Sequence, residues 1–177
     1  MDITKRPSKD EYYLSIAEEV ASRSTCYRTR QGSLIVKDDQ IISTGYVGAP
    51  RLTKDCFERG NCLRNILNVP AGERYELCRS VHAEQNAIIN AARAGVNLFG
   101  ATLYHYSCRL DSEGNVIKQS ALPCFICKKM LINAGIKFYI GYDSTGIKHV
   151  YDVEKWAQDW QEKDMVDDEI KYGEIKK

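Results

Sequence analysis

Residues 78–94 read CRSVHAEQNAIINAARA, and this stretch decides the fold. Small and apolar residues recur at helical spacing from Ala87 onward, and a glycine follows the stretch, so we predict a helix over about residues 81–94. The first turn of this helix carries two ionisable side chains, His82 and Glu84. Burying such a pair is costly unless each has a partner, so we expect a binding partner for them elsewhere in the chain.

Helices and strands alternate on both sides of this segment. A capping box predicts a helix over residues 9–23, and two β-rich runs at 33–36 and 41–46 predict a hairpin. Downstream, ATLYHY and KFYIGY predict strands on either side of a helix over residues 124–134. Strands separated by helices need crossover connections and at least one parallel pair. The pattern therefore predicts a three-layer α/β/α fold with helices on both faces of the sheet.

The chain length of 177 residues suits a single domain over residues 1–177. Beyond the last predicted strand, residues 152–177 predict a C-terminal helix followed by an acidic tail. Trp156 and Trp160 lie four residues apart there, so we expect the helix to dock by its aromatic edge.

Composition restricts the class of protein. The chain has 25 basic and 24 acidic residues, a formal net charge of +1, so the strongly basic surface typical of nucleic-acid binding is not expected. No apolar run approaches the roughly 18 residues of a membrane span, and the polar start does not resemble a signal peptide. Seven cysteines without a secretion signal favour a reducing, cytoplasmic compartment with thiols available for metal binding or catalysis.

The segment LPCFICKKM supplies two thiols, Cys124 and Cys127, one helical turn apart at a predicted helix N-terminus. With His82 they would give zinc three ligands and leave its fourth position open, which is typical of a catalytic site. Water in that position has its pKa lowered toward about 7, and Glu84 could carry its proton. Taken singly, the cysteines could instead be a redox pair or buried thiols, His82 a core histidine, and Glu84 an acid that complements the helix dipole.

The combined pattern, His-Ala-Glu followed by Pro-Cys-x-x-Cys, is the signature of zinc deaminases. The chain resembles the cytidine and deoxycytidylate deaminase superfamily, and within it the deoxycytidylate (dCMP) deaminase branch. The resemblance covers about residues 10–142, which we take as the catalytic core. It is carried, in the family's order, by IISTGYVGAP, VHAEQNAI, GATLY, PCFIC and NAGIK. It implies a cytidine-deaminase-like fold with a mixed sheet of about five strands, one catalytic zinc ion and hydrolytic release of ammonia from a cytosine ring.

Site residues follow from the resemblance by matching position. It implies that His82, Cys124 and Cys127 bind zinc and that Glu84 moves protons between water and the substrate. It also implies that the backbone N–H of Ala83, or that of Cys124, positions the attacked group. The expected reaction is deamination of dCMP to dUMP.

Substrate contacts are expected from residues near the first strand. Arg28 and Arg30, in CYRTRQ, suit bidentate recognition of a phosphate, and the alternative is a pair of solvated arginines in a turn. Val47 stands where the family usually has asparagine, in a loop that helps hold the nucleotide sugar or an effector. The stretch 107–122 is longer than the family's usual link before the Pro-Cys motif, and could reshape the mouth of the pocket.

A second metal site is a further expectation. Cys26 and Cys56 match positions that carry a structural zinc ion in some dCMP deaminases, and Cys62 and Cys78 could complete four ligands. Such a site would order the irregular connection 47–80, because metal binding supplies folding free energy. The alternative is a set of buried free thiols.

Other activities and partners stay open at this stage. The zinc motif does not select the base, so cytidine, guanine, dCTP or a nucleoside antibiotic are alternative substrates, and a non-catalytic zinc-stabilised binding module is an alternative of a different class. The resemblance suggests a homo-oligomer and regulation by dCTP or dTTP. His105 and His149 are expected to be strand or surface residues, since no spacing recruits them to a site.

Overall fold

A six-stranded mixed sheet lies at the centre of the structure, a computed structural model that describes residues 6–164. The strands are β1 (Arg30–Lys37), β2 (Gln40–Tyr46), β3 (Thr102–Leu110), β4 (Val116–Lys118), β5 (Phe138–Tyr142) and β6 (Lys148–Asp152). Their order is β2-β1-β3-β5-β6, and β4 pairs with the end of β3. The β3–β5 pair is parallel and the other pairs are antiparallel, which confirms the mixed sheet.

Helices cover both faces of this sheet. They are α1 (Lys9–Ala21), α2 (Leu63–Ile66), α3 (Ala83–Arg93), α4 (Phe125–Asn133) and α5 (Val153–Glu162), with a 3₁₀ turn at Tyr75–Leu77. Successive strand residues point to opposite faces. Leu34 of β1 therefore packs in one cluster with Leu14 of α1, while its neighbour Ile35 packs in the other with Ala87 of α3. These two cores confirm the three-layer α/β/α fold.

Two glycines allow the helices to lie unusually close to the sheet. A Cβ atom at Gly32 would lie 2.2 Å from the carbonyl oxygen of Ala17 in α1, and a Cβ atom at Gly45 would lie 2.2 Å from the backbone nitrogen of Ala87 in α3. The hydroxyl of Ser43 also donates to the carbonyl oxygen of Ala87 at 2.6 Å. The position of α3 is thus set by backbone contact with β2.

The predicted N-terminal helix and hairpin are present with shifted ends. Helix α1 begins after Ser8, whose hydroxyl accepts from the backbone N–H of Glu11 at 3.3 Å while the Glu11 carboxylate accepts from the backbone N–H of Ser8 at 2.7 Å. Strand β1 begins three residues earlier than expected. Its first residue, Arg30, pairs with Cys108 of β3, a long-range contact that local sequence does not indicate.

The stretch 107–122 forms a β-hairpin in which the end of β3 pairs with β4. Beyond β4, the backbone N–H of Gln119 donates to the carbonyl oxygen of Ser107 at 3.0 Å, so the chain returns along β3 toward the Pro-Cys motif. The connection 47–80 is mostly irregular, as predicted, and contains only α2 and the 3₁₀ turn.

Helix α5 docks by its tryptophans, as predicted. The Trp160 ring meets the edge of Phe125 of α4 at a centroid distance of 6.1 Å, and the Trp156 ring lies 6.0 Å from that of Tyr139. The acidic tail predicted after this helix falls on residues 165–177, outside the described residues. Within the described part, no helix has the length and apolarity needed to cross a bilayer.

Candidate active site

The site forms where the N-termini of α3 and α4 meet on one face of the sheet. His82 is the N-cap residue of α3 and Cys124 is the N-cap residue of α4, with Cys127 in the first turn of α4. The chain enters α3 through a reciprocal pair of backbone hydrogen bonds between Gly48 and Val81, at 3.3 and 2.8 Å. Each candidate ligand is therefore held at the start of a helix that packs on the sheet.

The three side chains fit the requirements of a zinc ion. Nδ1 of His82 lies 3.4 Å from the sulfur of Cys124 and 3.4 Å from the sulfur of Cys127. Their donor atoms all lie within 4.8 Å of one another. Around a tetrahedral zinc ion a nitrogen and a sulfur ligand are separated by about 3.6 Å. A nitrogen and two thiol ligands at this spacing match the soft, tetrahedral preference of zinc, and three ligands leave one position open.

The pKa values of the two cysteines are shifted in opposite directions. The Cys127 thiol donates a hydrogen bond to Cys124, and this contact, helped by His82 and opposed by burial, lowers the pKa of Cys124 to about 5. The same hydrogen bond, together with burial and the charge of Glu84, raises the pKa of Cys127 well above its usual value. Cys124 is therefore the more acidic of the two cysteines, and metal binding would displace the thiol protons that remain.

Glu84 lies directly beside this set. It is the second residue of α3, only 3% of its surface is exposed, and it lines the same cavity as His82 and Cys124. Its side chain also forms a hydrogen bond with Cys127. A buried carboxylate that faces a cavity next to a metal site has the position that a proton-transfer residue needs.

A cavity of about 500 Å³ opens from this centre toward the surface. Its floor is the polar face of two strands, Gln31 of β1 and the alternate β3 residues His105, Ser107 and Arg109. Part of the connection 47–80 forms a wall. This volume suits a small molecule bound with one end at the metal centre.

The charge of the cavity lining is strongly one-sided. Four arginines line it, whereas among the described residues that line it Glu84 is the one acidic side chain. The arginines are Arg28, Arg64, Arg79 and Arg109. Since the whole chain has a formal net charge of only +1, this local excess marks the cavity as a site for an anionic ligand.

A buried arginine organises the wall beside His82. Arg64 is only 6% exposed, and its Nη2 donates to the carbonyl oxygens of Pro70 at 2.5 Å and Glu73 at 2.6 Å. Its guanidinium lies 5.1 Å from the centre of the Tyr75 ring, whose edge meets the His82 ring at 4.8 Å. Neither Arg64 nor Tyr75 was expected from sequence, because an arginine in an irregular segment carries no local signal that it is buried.

The four cysteines proposed for a second metal all line the cavity, but they are less closely gathered. Among the described residues, the His82 set is the one group of three or more such donors within 4.8 Å of one another. Burial raises the pKa of Cys26 and of Cys56, and the charge of Cys78 acts on both of them. All four thiols therefore line the same cavity, but their sulfur atoms are not close enough together to form a metal site as they stand.

The remaining predicted contact residues have different positions. Val47 is 4% exposed and lines the cavity, as does Arg28, whose Nη1 donates to the carbonyl oxygen of Val69 at 3.2 Å. Arg30 and Ala83 are not among the residues that line the cavity. Arg30 alternates with Gln31 along β1 and so points to the opposite face, which separates it from Arg28.

His105 is a cavity residue that sequence reasoning missed. It lies in a strand, as predicted, but it is 2% exposed and its Nδ1 is 2.8 Å from the hydroxyl of Ser33. Its position in a row with Ser107 and Arg109, at every second residue of β3, was the available signal. His149 lies outside this cavity, where its Nε2 is 2.8 Å from the Asp143 carboxylate.

Comparisons with known proteins agree with this geometry. The family described as "Cytidine and deoxycytidylate deaminase zinc-binding region" matches residues 7–141. Deoxycytidylate deaminase of Saccharomyces cerevisiae is 36% identical over 131 residues, which are 74% of this chain and 36% of the yeast protein. Deoxycytidylate deaminase of Mycobacterium phage D29 is 36% identical over 137 residues, which are 75% of this chain and 92% of the phage protein. This chain thus spans little more than a third of the yeast relative and most of the phage one.

A solved structure shares the fold. The dCMP deaminase of cyanophage S-TIM5 superposes with a TM-score of 0.53 at 27% sequence identity, covering 81% of this chain and 90% of that one. The residues matched by the family, 7–141, contain β1 to β4, α3, α4 and the His82, Cys124 and Cys127 set, whose donor types suit the zinc ion that defines the family. The chain belongs to the cytidine and deoxycytidylate deaminase family of zinc-binding proteins.

Proposed function

We propose that this chain catalyses the hydrolytic deamination of dCMP to dUMP, with release of ammonia, using one zinc ion held by His82, Cys124 and Cys127. The observation that carries the proposal is the gathering of these three donors within 4.8 Å of one another, next to buried Glu84, in a cavity of about 500 Å³. The names of the yeast and phage relatives support dCMP as the substrate.

The bound zinc ion would supply a Lewis acid that makes water nucleophilic at neutral pH. The chain's own residues then handle the protons. Glu84 accepts a proton from the attacking water and donates it to N3 of the pyrimidine. It then takes the remaining proton of the hydroxyl group added to C4 and passes it to the amino group, which leaves as ammonia as the C4 carbonyl forms. One carboxylate can perform both steps because it alternates between base and acid. The backbone N–H of Cys124, at the N-terminus of α4, would position the attacked group, because Cys124 lines the cavity and Ala83 does not.

A nucleotide, rather than a free base or nucleoside, fits the charge of the cavity. The four arginines that line it suit a phosphate, and guanidinium groups bind phosphate by paired hydrogen bonds. Arg28 keeps its predicted role in substrate binding in this proposal, and Val47 lines the same cavity. Arg30, outside the cavity lining, would act only indirectly.

A second, structural zinc ion at Cys26, Cys56, Cys62 and Cys78 remains part of the proposal. Support comes from the four thiols lining one cavity, and from the charge of Cys78, which raises the pKa of both Cys26 and Cys56. Metal binding would draw the thiols together and would order the connection 47–80.

Several broader properties are proposed on the family resemblance. We expect the 177 residues to act as one deaminase domain, to assemble as a homo-oligomer, and to respond to dCTP or dTTP. None of the seven cysteines forms a disulfide bond, which suits a cytoplasmic location.

A substrate panel tests the proposed function. Ammonia release by the zinc-loaded chain is measured with dCMP, CMP, deoxycytidine, cytidine, guanine and dCTP at equal concentrations. We expect dCMP to give the largest kcat/KM, with stoichiometric formation of dUMP. A larger kcat/KM for a free base or for dCTP would contradict dCMP as the substrate but would still support a hydrolytic deaminase. No ammonia from any of the six would contradict the proposed activity and favour a non-catalytic binding module.

A further inference from the structure

A row of polar side chains leads along β3 from the metal centre to the mouth of the cavity. His105, Ser107 and Arg109 share one face of the strand and all line the cavity. His105 is 2% exposed and lies against Tyr139, a fully buried ring whose pKa is raised by burial and by the charges of Glu84, Cys127 and Cys124. Arg109 is exposed. The row therefore runs from the buried end of the cavity to the solvent.

The length of this row suits a nucleoside monophosphate. Four residues of an extended strand span about 13 Å, so Arg109 lies roughly that far from His105. With the base against the buried end, the sugar would lie over the middle of the row. There the Gln31 side chain donates to the hydroxyl of Ser107 at 3.3 Å. A phosphate on the 5′ carbon would then reach the outer end.

Arg109 differs from the other three arginines of the cavity in how its side chain is used. The others donate to backbone carbonyl groups of the connection 47–80: Arg64 to Pro70 and Glu73, Arg79 to Asn61, and Arg28 to Val69. Within residues 6–164, Arg109 makes no side-chain hydrogen bond and no ion pair with the protein. No group of the described residues therefore occupies its five guanidinium N–H donors, which a ligand can use.

The β3–β4 hairpin holds Arg109 in position. Its backbone pairs with Ile117 of β4, and the hydroxyl of Thr29 donates to the neighbouring carbonyl oxygen of Cys108 at 3.0 Å. The same Thr29 hydroxyl lies 2.9 Å from the side-chain oxygen of Gln119 on the returning chain. The backbone of Arg109 is thus held by β4 on one side and, through Cys108, by Thr29 on the other. Only its side chain has to become ordered when a ligand binds.

We propose that Arg109 binds the 5′-phosphate of the substrate and thereby selects pyrimidine nucleotides over nucleosides, with the hairpin over 107–122 as the specificity element of this chain. The inference rests on the proposed function and deepens it. Arg28, which uses one donor on Val69, lines the same cavity and can bind the phosphate from the wall.

The test compares nucleotide and nucleoside in matched variants. Kinetics with dCMP and with deoxycytidine are measured for the wild type, Arg109→Gln, Arg109→Lys and Lys118→Gln. The last variant removes one positive charge from the same hairpin at a residue that does not line the cavity. Binding of dUMP and of deoxyuridine to the same four zinc-loaded proteins is measured by calorimetry.

We expect Arg109→Gln to lower kcat/KM for dCMP about 10- to 100-fold, mainly through KM, the usual effect of losing a hydrogen bond to a charged group. Its dUMP affinity should fall by a similar factor, while deoxycytidine kinetics and deoxyuridine binding change less than about twofold. Arg109→Lys should recover part of the loss, because the charge remains but the paired hydrogen bonds do not. Lys118→Gln should match the wild type.

Two results would overturn the inference: unchanged dCMP kinetics in Arg109→Gln, or an equal loss with dCMP and deoxycytidine, which indicates a structural role. The proposed function can fail separately. If the wild type deaminates neither compound, dUMP binding alone decides the role of Arg109. Weaker binding in Arg109→Gln then supports it, and equal binding overturns it.

Discussion

Two sets of metal-binding side chains line the same cavity, and they differ in how closely they are gathered. The donors of His82, Cys124 and Cys127 lie within 4.8 Å of one another, whereas the four cysteines at 26, 56, 62 and 78 do not reach this spacing. The first set stands at the starts of two helices that pack on the sheet. The second stands on irregular connections. Helix N-termini hold ligands in place before a metal binds, whereas ligands on loops can be brought together by metal binding.

The largest loss of activity is expected from a substitution in the His82, Cys124 and Cys127 set, whose donors are already close together before a metal binds. Replacing Cys124 by serine should remove the zinc ion from the centre and lower dCMP deamination at least about 1,000-fold, because the ion is what brings the pKa of water from 15.7 to about 7. Zinc content is measured by mass spectrometry of the metal, alongside ammonia release.

The matched comparison is Cys26→Ser, which removes a cysteine of the other set. It should retain most of the turnover per correctly folded molecule. If Cys26→Ser abolished turnover while Cys124→Ser kept it, the assignment of the two sets would be reversed.

A single methyl group added to β2 should displace α3, and with it the zinc ligand His82. In Gly45→Ala the new Cβ would lie 2.2 Å from the backbone nitrogen of Ala87 and 2.4 Å from the carbonyl oxygen of Ala83, so α3 has to move. We expect a loss of about 3 kcal/mol in the free energy of unfolding, at the upper end for overpacking. Urea denaturation measures it, and zinc affinity should fall as His82 moves with the helix.

Gly48→Ala serves as the control for this substitution. Its Cβ would approach only side-chain atoms, of Thr25 and Tyr46, at 3.2 Å, which can adjust. A loss in Gly45→Ala no larger than that in Gly48→Ala would contradict the backbone contact between β2 and α3.

Substitutions among the four cysteines at 26, 56, 62 and 78 should lower the melting temperature more than they lower the deamination rate. If the four cysteines hold a second zinc ion, Cys56→Ser lowers the zinc content from two ions per chain to one. We expect the melting temperature to fall by about 4–8 °C, which corresponds to a loss of about 2 kcal/mol in a chain of this size. Scanning calorimetry and metal analysis check both values. One zinc ion per chain in both proteins would remove the second site.

The sequence predicted the parts of the molecule whose geometry is local. The helical spacing after Ala87 and the Cys124–Cys127 turn led to the correct helices, because one turn of helix has one geometry. Arg64 could not be found in this way, since its burial depends on carbonyl groups six and nine residues further along an irregular segment. Nor could local pattern show that Arg30 begins β1, because its partner Cys108 lies in a distant strand.

His105 shows a third case, in which the pattern was present but incomplete. His105, Ser107 and Arg109 lie at alternate positions, but residues 103–108 are all buried, so burial does not distinguish the two faces of β3 there. Contacts distant in sequence, with Ser33 of β1 on one side and Tyr139 of β5 on the other, show which face carries the cavity.

The smallest effect is expected from removing the hydroxyl group of Ser33 that contacts His105. Ser33→Ala removes the hydroxyl that lies 2.8 Å from Nδ1 of His105, in a fully buried position. Leaving a buried polar atom without this contact should cost about 1–2 kcal/mol of stability and lower kcat/KM for dCMP only a few-fold. Thermal denaturation and kinetics are compared with Ser15→Ala, an exposed serine of α1. Equal stability in the two variants would indicate that the contact contributes nothing.

The central claim is that Glu84 transfers protons beside a zinc ion held by His82, Cys124 and Cys127, and one measurement addresses it directly. Steady-state dCMP deamination is compared in the wild type, Glu84→Gln and Glu19→Gln, an exposed glutamate of α1, at equal zinc content per chain. The account predicts that Glu84→Gln retains its zinc but loses about 10²- to 10⁴-fold in kcat, while Glu19→Gln equals the wild type. Turnover by Glu84→Gln at the wild-type rate would contradict it.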